Sequence, residues 1–177
     1  IYLNESQKAL FLKAGFSSRK LVKKYNSVPE PTPANSERDL PQRYAVYCGR
    51  IGQEKGISVL CSAWKKLPDV PLVIMGAGPQ ENMLKQFIKT HPDLQIKYLG
   101  YVPHDECQGI MGNAEFVLLP SICYEGCSMT VIEAFSLGKP VIATDIGFMH
   151  EAISAVGMNT VFPMKDYNAL RHKVIEL

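Results

Sequence analysis

"EFVLLPSICYEGCSMTVIEAFSLGKPVIATD", residues 115–145, decides the fold. Its outer parts, "EFVLLP" and "PVIAT", are apolar runs of strand length without polar alternation. Between them, from Thr130 to Leu137, apolar residues recur at helical spacing. A strand exposed to water on one face alternates in polarity; one apolar throughout is covered on both faces. Strand, helix and strand in that order therefore predict two parallel strands joined by a crossover helix.

The same cycle extends in both directions. "YAVYC" (44–48) precedes a helical pattern over 57–67, "PLVIM" (71–75) precedes one over 80–90, and "IKYLG" (96–100) precedes one over 104–111. Beyond Thr144 a shorter helix is expected over 150–155 and a last one over 166–177. The fold class is α/β, a doubly wound, Rossmann-like parallel sheet. Upstream, "NSVPEPTPANSERDLPQ" (26–42) places Pro29, Pro31, Pro33 and Pro41 among small polar residues, which is linker composition. Before it lie a helix starting at Glu5 and closing at Gly15, and at most a short strand at Leu21 and Val22. The expected division is a leading segment with its linker over 1–43 and a sheet domain over 44–177.

With 177 residues the chain suits one domain with a real core. A net charge of +2, with basic residues dispersed apart from Arg19, Lys20, Lys23 and Lys24, argues against a nucleic-acid footprint. There is no signal segment and no apolar run of membrane-span length, so the expectation is a soluble, cytoplasmic piece of a longer protein. Five cysteines without a Cys-x-x-Cys pair, several of them inside apolar runs, read as small hydrophobes in a reducing compartment. Cys123 and Cys127 have no nearby histidine pair, and no metal site is expected. Trp64, beside Leu60 and Leu67 on an apolar helix face, reads as core. The four histidines read as solvated or capping, with His150 the one nearest a candidate loop.

In an open parallel sheet, ligands bind outside the carboxyl ends of the strands. "GAGPQENML" after Met75 looks like a dinucleotide fingerprint, but Glu81 stands where the third glycine belongs. A tight turn is the better reading. "GRIGQEKG" (49–56) carries Arg50 and Lys55 between Gly49 and Gly56; a guanidinium fork and an ammonium converging there suit a diphosphate, although a surface loop also carries cations for solubility. If a helix starts near Ser128 to Thr130, the amides of Cys127, Ser128, Met129 and Thr130 lack intrahelical partners and form an anion site. Glu125 and Glu133, eight positions apart, then flank a phosphate and are placed for sugar and ribose hydroxyls. As ordinary surface acids they would need no such ligand, but Glu133 lies within "VIEAF", where an embedded acid calls for a partner.

"GRIGQEKG", "PSICYEGCSMTVIEA" with its Glu-x7-Glu spacing, and "GKPVIATDIG" together resemble the nucleotide-binding C-terminal domain of retaining glycosyltransferases of family 4, which have the GT-B fold. The resemblance runs from about Tyr44 to the end, and "NESQKALFLKAGF" is similar to the family segment that closes the N-terminal domain. It implies that Arg50 and Lys55 bind the donor diphosphate and stabilise the leaving group, that Glu125 contacts the donor sugar, and that Glu133 holds the ribose. It also implies that the turn amides from Gly126 through Cys127, Ser128 and Met129 to Thr130 complete the phosphate site, that Gly49 belongs to the first loop, and that backbone at Tyr101 and Val102 receives the base. The implied donor is a UDP-, GDP- or ADP-sugar, with no cofactor or metal. The implied acceptor, a sugar or a lipid-linked sugar, belongs to an N-terminal domain absent from this chain. The implied role is cell-surface polysaccharide or glycolipid synthesis, with the parent peripheral at the inner membrane face and this piece alone inactive. A sugar-nucleotide epimerase of the same fold and a non-catalytic nucleotide-binding module are the alternatives. The chain departs from the family pattern at Phe148, where a second glycine is usual, and at Cys127, where an aromatic residue is common.

Overall fold

The computed structural model describes residues 1–31 and 38–177. Residues 32–37, the middle of the proline-rich stretch and the site of Pro33, lie outside the described residues. Six parallel strands form one sheet: β1 (Ala45–Cys48), β2 (Leu72–Met75), β3 (Ile96–Tyr98), β4 (Phe116–Leu119), β5 (Val141–Thr144) and β6 (Val161–Phe162). Their order is β3-β2-β1-β4-β5-β6. The winding direction reverses between β1 and β4, and this opens a crevice at the carboxyl ends of those two strands.

The helices are α1 (Glu5–Lys13), α2 (Ile57–Trp64), α3 (Glu81–Thr90), α4 (His104–Asn113), α5 (Met129–Ser136), α6 (Gly147–Ala155) and α7 (Tyr167–Glu176). Strand residues alternate between two cores. Val46, Val73, Val117, Val141 and Ala143 face α4, α5 and α6, whereas Ala45, Tyr47, Leu72, Ile74, Leu118 and Ile142 face α2, α3 and α7. Both faces are therefore dry, which is why the strands read as unbroken apolar runs; each buried Val, Leu or Ile contributes about 1.5–3 kcal/mol relative to exposure. Trp64 is fully buried and donates its indole N–H to the Val70 carbonyl at 2.9 Å, so it is core, as the sequence indicates.

The structure departs from the sequence reading at three places. The helix expected from His150 starts three residues earlier, at Gly147, so Gly147, Phe148 and Met149 are helical rather than loop. Ile146 stands at the helix start and has no side chain able to cap it, which removes the usual sequence signal. β6 is a strand of two residues, too short to show a period. Leu21 and Val22 form no strand; a 3-10 turn at Ser18–Lys20 leads instead to a single parallel bridge between Tyr2 and Lys23.

α1 buries none of its residues, and Leu10, Phe16, Val22 and Tyr25 around it are more than half exposed. This leading segment is attached to the sheet domain at α6 and at the turn after β4, both beside the crevice.

Candidate nucleotide-sugar site

The turns leaving β1 and β2 pack backbone against backbone. At Gly76 (φ +131) an added Cβ would lie 1.8 Å from the Gly49 carbonyl oxygen, so only glycine fits. Tyr98 donates to the Gly76 carbonyl at 2.8 Å, and burial pushes its phenol up to about 12. The Gly78 amide donates to the Glu81 carboxylate at 2.9 Å. The residue that spoils the dinucleotide fingerprint thus closes the turn itself, and the tight-turn reading of "GAGPQ" matches the structure.

The turn after β1 is held by Tyr47, whose hydroxyl donates to the Arg50 carbonyl at 2.8 Å. Gly56 (φ +74) brings the turn against the exit of β4, where its Cβ would lie 1.8 Å from the Pro120 carbonyl oxygen. That contact carries Lys55 across the crevice. Its Nζ lies 2.8 Å from Glu125 Oε1, and the same oxygen accepts from Ser121 Oγ at 2.7 Å. Burial opposes ionisation of Glu125, but the hydrogen bonds from Lys55 and Ser121 outweigh it and hold the carboxyl below its ordinary value.

Lys55, Glu125 and Ser121 line a cleft of about 260 Å³ with Tyr47, Cys48, Gly49, Arg50, Leu119 and the start of α5. Cys127, Ser128, Met129 and Thr130 form its other wall, and their amides have no backbone acceptor among the described residues. With Ser128 as the N-cap, this is an eight-residue helix aiming its positive end at the cleft wall. An adjoining cleft of about 290 Å³ shares Cys48, Gly49 and Arg50 and continues past Met75, Gly76 and Ala77 to Tyr101, Val102 and Cys107. The two make one groove across the carboxyl ends of β2, β1 and β4. It has a cationic end and an end flanked by Tyr101, which is 77% exposed.

Nearly every residue singled out in the sequence lines this groove, though not always as expected. Arg50 and Lys55 share the cleft wall but do not converge. Arg50 is largely exposed and pairs with Glu54 at 3.5 Å, while Lys55 is tied to Glu125. Glu125 therefore contacts the expected phosphate cation directly instead of merely flanking it, because a half-buried ammonium takes the nearest carboxylate. Gly126 turns its carbonyl away, toward Asn4. Glu133 is half-buried on α5 and is not among the residues lining either cleft; its charge acts on Cys48 and Cys107, and among the described residues its carboxylate forms no hydrogen bond or ion pair. His150 lies outside the groove, with Nδ1 2.5 Å from Asp145.

Sequence reasoning missed Ser121, Asn4, the contact of Glu151 with the amides of Glu5 and Ser6, and the Cys48–Cys107 thiol contact of 2.9 Å. Ser121 had one usable signal: it is a polar residue directly after a buried strand and Pro120, and it is only 1% exposed. All five cysteines are free thiols, and among the described residues no group of three or more His, Cys, Asp or Glu is placed to hold a metal. A larger depression of about 350 Å³ lies at the opposite ends of the strands, between Arg43, Pro71, Phe116 and Leu177. None of the residues of the groove reaches it.

The family model described as glycosyl transferases group 1 matches residues 30–177. The chain belongs to this family. TuaC of Bacillus subtilis (strain 168), a glycosyltransferase assigned to teichuronic acid biosynthesis, is 41% identical over 109 residues, covering 61% of this chain and 26% of that protein. The O-antigen chain mannosyltransferase B of Escherichia coli is 29% identical over 142 residues, covering 76% of this chain and 36% of that protein. This group 1 chain thus spans well under half the length of the curated relatives it matches. Among solved structures, Anabaena HepE in complex with UDP-glucose superposes with a TM-score of 0.82 at 21% identity, over 99% of this chain and 52% of that one. That likeness establishes the fold as the C-terminal half of a GT-B glycosyltransferase, with the leading segment included in the match. Among the described residues no helix is long and apolar enough to cross a membrane.

Proposed function

We propose that this chain is the donor-binding domain of a retaining glycosyltransferase that takes its sugar from a nucleoside diphosphate sugar. The observation that carries the reading is the groove itself: Lys55 and the unpartnered amides of Cys127 to Thr130 face one another across the switch point of the sheet. Those donors suit a diphosphate, which presents several anionic oxygens within one short span. The Tyr101 and Val102 end then receives the base, and the half-buried, unpartnered Glu133 receives the ribose hydroxyls. Glu125 is left facing the sugar.

In this reading the bond between the anomeric carbon and the diphosphate oxygen breaks with its electron pair on the diphosphate. Lys55, Arg50 and the start of α5 stabilise the charge that develops there, so the cationic work needs no metal. When the diphosphate arrives, Lys55 exchanges one anion for another and releases Glu125 toward the sugar. The acceptor, a sugar or lipid-linked sugar, binds in the half of the GT-B fold that this chain does not contain. The exposed apolar residues around α1 support such a covering half. The chain alone accordingly binds donor weakly and transfers nothing. The named roles of the relatives, teichuronic acid biosynthesis and O-antigen chain mannosyl transfer, favour surface polysaccharide assembly by the parent.

The test is calorimetric titration of the chain with UDP, GDP and ADP, with and without their sugars, alongside Arg50→Ala and Glu133→Ala. Saturable binding of one nucleotide, weakened by both substitutions, is expected. Equal binding by all three proteins, or sugar transfer by the chain alone, contradicts the reading.

A further inference from the structure

The leading segment grips the sheet domain at two points, the turn bounding the groove and α6 beside it. Asn4 is 3% exposed; its Nδ2 donates to the Gly126 carbonyl at 2.7 Å, while its Oδ1 accepts the Gln7 amide at 2.7 Å and so caps α1. Glu151 on α6 accepts the amides of Glu5 and Ser6 at 2.9 and 3.0 Å, one on each oxygen, with the Ser6 hydroxyl at 3.3 Å. A carboxylate there meets the positive end of α1. α1 itself buries no side chain, so these polar contacts, with the buried Tyr2 just before it, hold the segment in place.

The grip on Gly126 reaches the cleft through a single peptide plane. In a planar trans peptide, the carbonyl of one residue and the amide of the next point in opposite directions. An oxygen of Gly126 held toward Asn4 sends the Cys127 N–H the other way, and Cys127 lines the phosphate end of the groove. The Asn4 amide does both, capping the helix with its oxygen and donating to Gly126 with its nitrogen, whereas a carboxylate can do only the first. We propose that Asn4 and Glu151 are positioning residues of the nucleotide-sugar site, orienting the Cys127 to Thr130 amides by tying the turn after β4 to the start of α1. The inference rests on the donor-site reading above.

The experiment uses Asn4→Asp and Glu151→Gln in the full chain. Aspartate caps a helix about as well as asparagine, so Asn4→Asp retains α1 while losing the donor to Gly126. Two quantities are read: affinity for UDP, GDP and ADP in turn, and NMR hydrogen exchange of the Cys127 to Thr130 amides without nucleotide. Both variants are expected to speed exchange at these amides and to weaken binding, Asn4→Asp by about tenfold and Glu151→Gln by less. Wild-type exchange and wild-type affinity in Asn4→Asp overturn the inference, and if Lys55→Ala still abolishes binding the donor-site reading stands without it. Should the unmodified chain bind none of the three nucleotides, the donor-site reading fails, and unchanged amide exchange then overturns the positioning role as well. If Asn4→Asp does not fold, Glu151→Gln alone decides on the same two readouts.

Discussion

Lys55 and Glu125, seventy positions apart in the chain, meet at 2.8 Å across the switch point of the sheet. Glu125 is 13% exposed at its side chain and Lys55 29%, so neither charge is well solvated. Removing one leaves the other half-buried without its counterion. Lys55→Met is therefore expected to destabilise the chain by about 1–3 kcal/mol in urea unfolding, and adding Glu125→Gln to recover most of that loss. Nucleotide binding, by contrast, is lost in both the single and the double variant. Recovery of binding together with stability would place the diphosphate elsewhere.

The same pair sets a pH dependence. The folded-state pKa of Glu125 lies below its ordinary value of 4.5, burial being outweighed by Lys55 and Ser121. A depressed carboxyl contributes stability above the unfolded pKa and loses it as pH falls through the folded one. Wild-type stability relative to Glu125→Gln should therefore hold constant above about pH 5.5 and decline below about pH 4.5. Denaturant midpoints at stepped pH check this, and a gap that widens with acid contradicts it.

Gly76→Ala tests the packing of the two turns under the groove. The new Cβ would meet the Gly49 carbonyl oxygen at 1.8 Å, on backbone already at φ +131. Neither atom is the end of a flexible side chain, so a loss of about 3 kcal/mol or more is expected. A denaturant midpoint within error of wild type would mean that the turns slide apart freely.

Glu133 separates binding from stability. Without a protein partner to lose, Glu133→Gln should change stability by no more than about 0.5 kcal/mol. It should nonetheless erase the preference for ribonucleotide over 2′-deoxyribonucleotide diphosphates that the wild-type chain is expected to show. Persistence of that preference in the variant removes the ribose from Glu133.

How much of this was visible in the residue order depends on the range of the interaction. The sheet, its two dry faces and the loops at its carboxyl ends follow from periodicity, which is local. The start of α5 was legible because orphan amides follow from any helix start. The true start of α6 was not, because Ile146 carries no cap signal and Gly147 reads as loop. The Lys55–Glu125 pair and the Asn4 grip on Gly126 join residues 70 and 122 positions apart through single hydrogen bonds. Such contacts leave no period and no spacing to read, so the sequence supplies the residues of the site but not which of them hold one another.

The most direct test of the diphosphate position is an NMR titration of the chain with UDP, GDP and ADP, following backbone amide shifts. The account predicts that the nucleotide that binds moves the amides of Gly49 and of Cys127 to Thr130 most, with lesser changes at Tyr101 and Val102. Shifts concentrated instead around Arg43, Phe116 and Leu177, at the opposite ends of the strands, would contradict it.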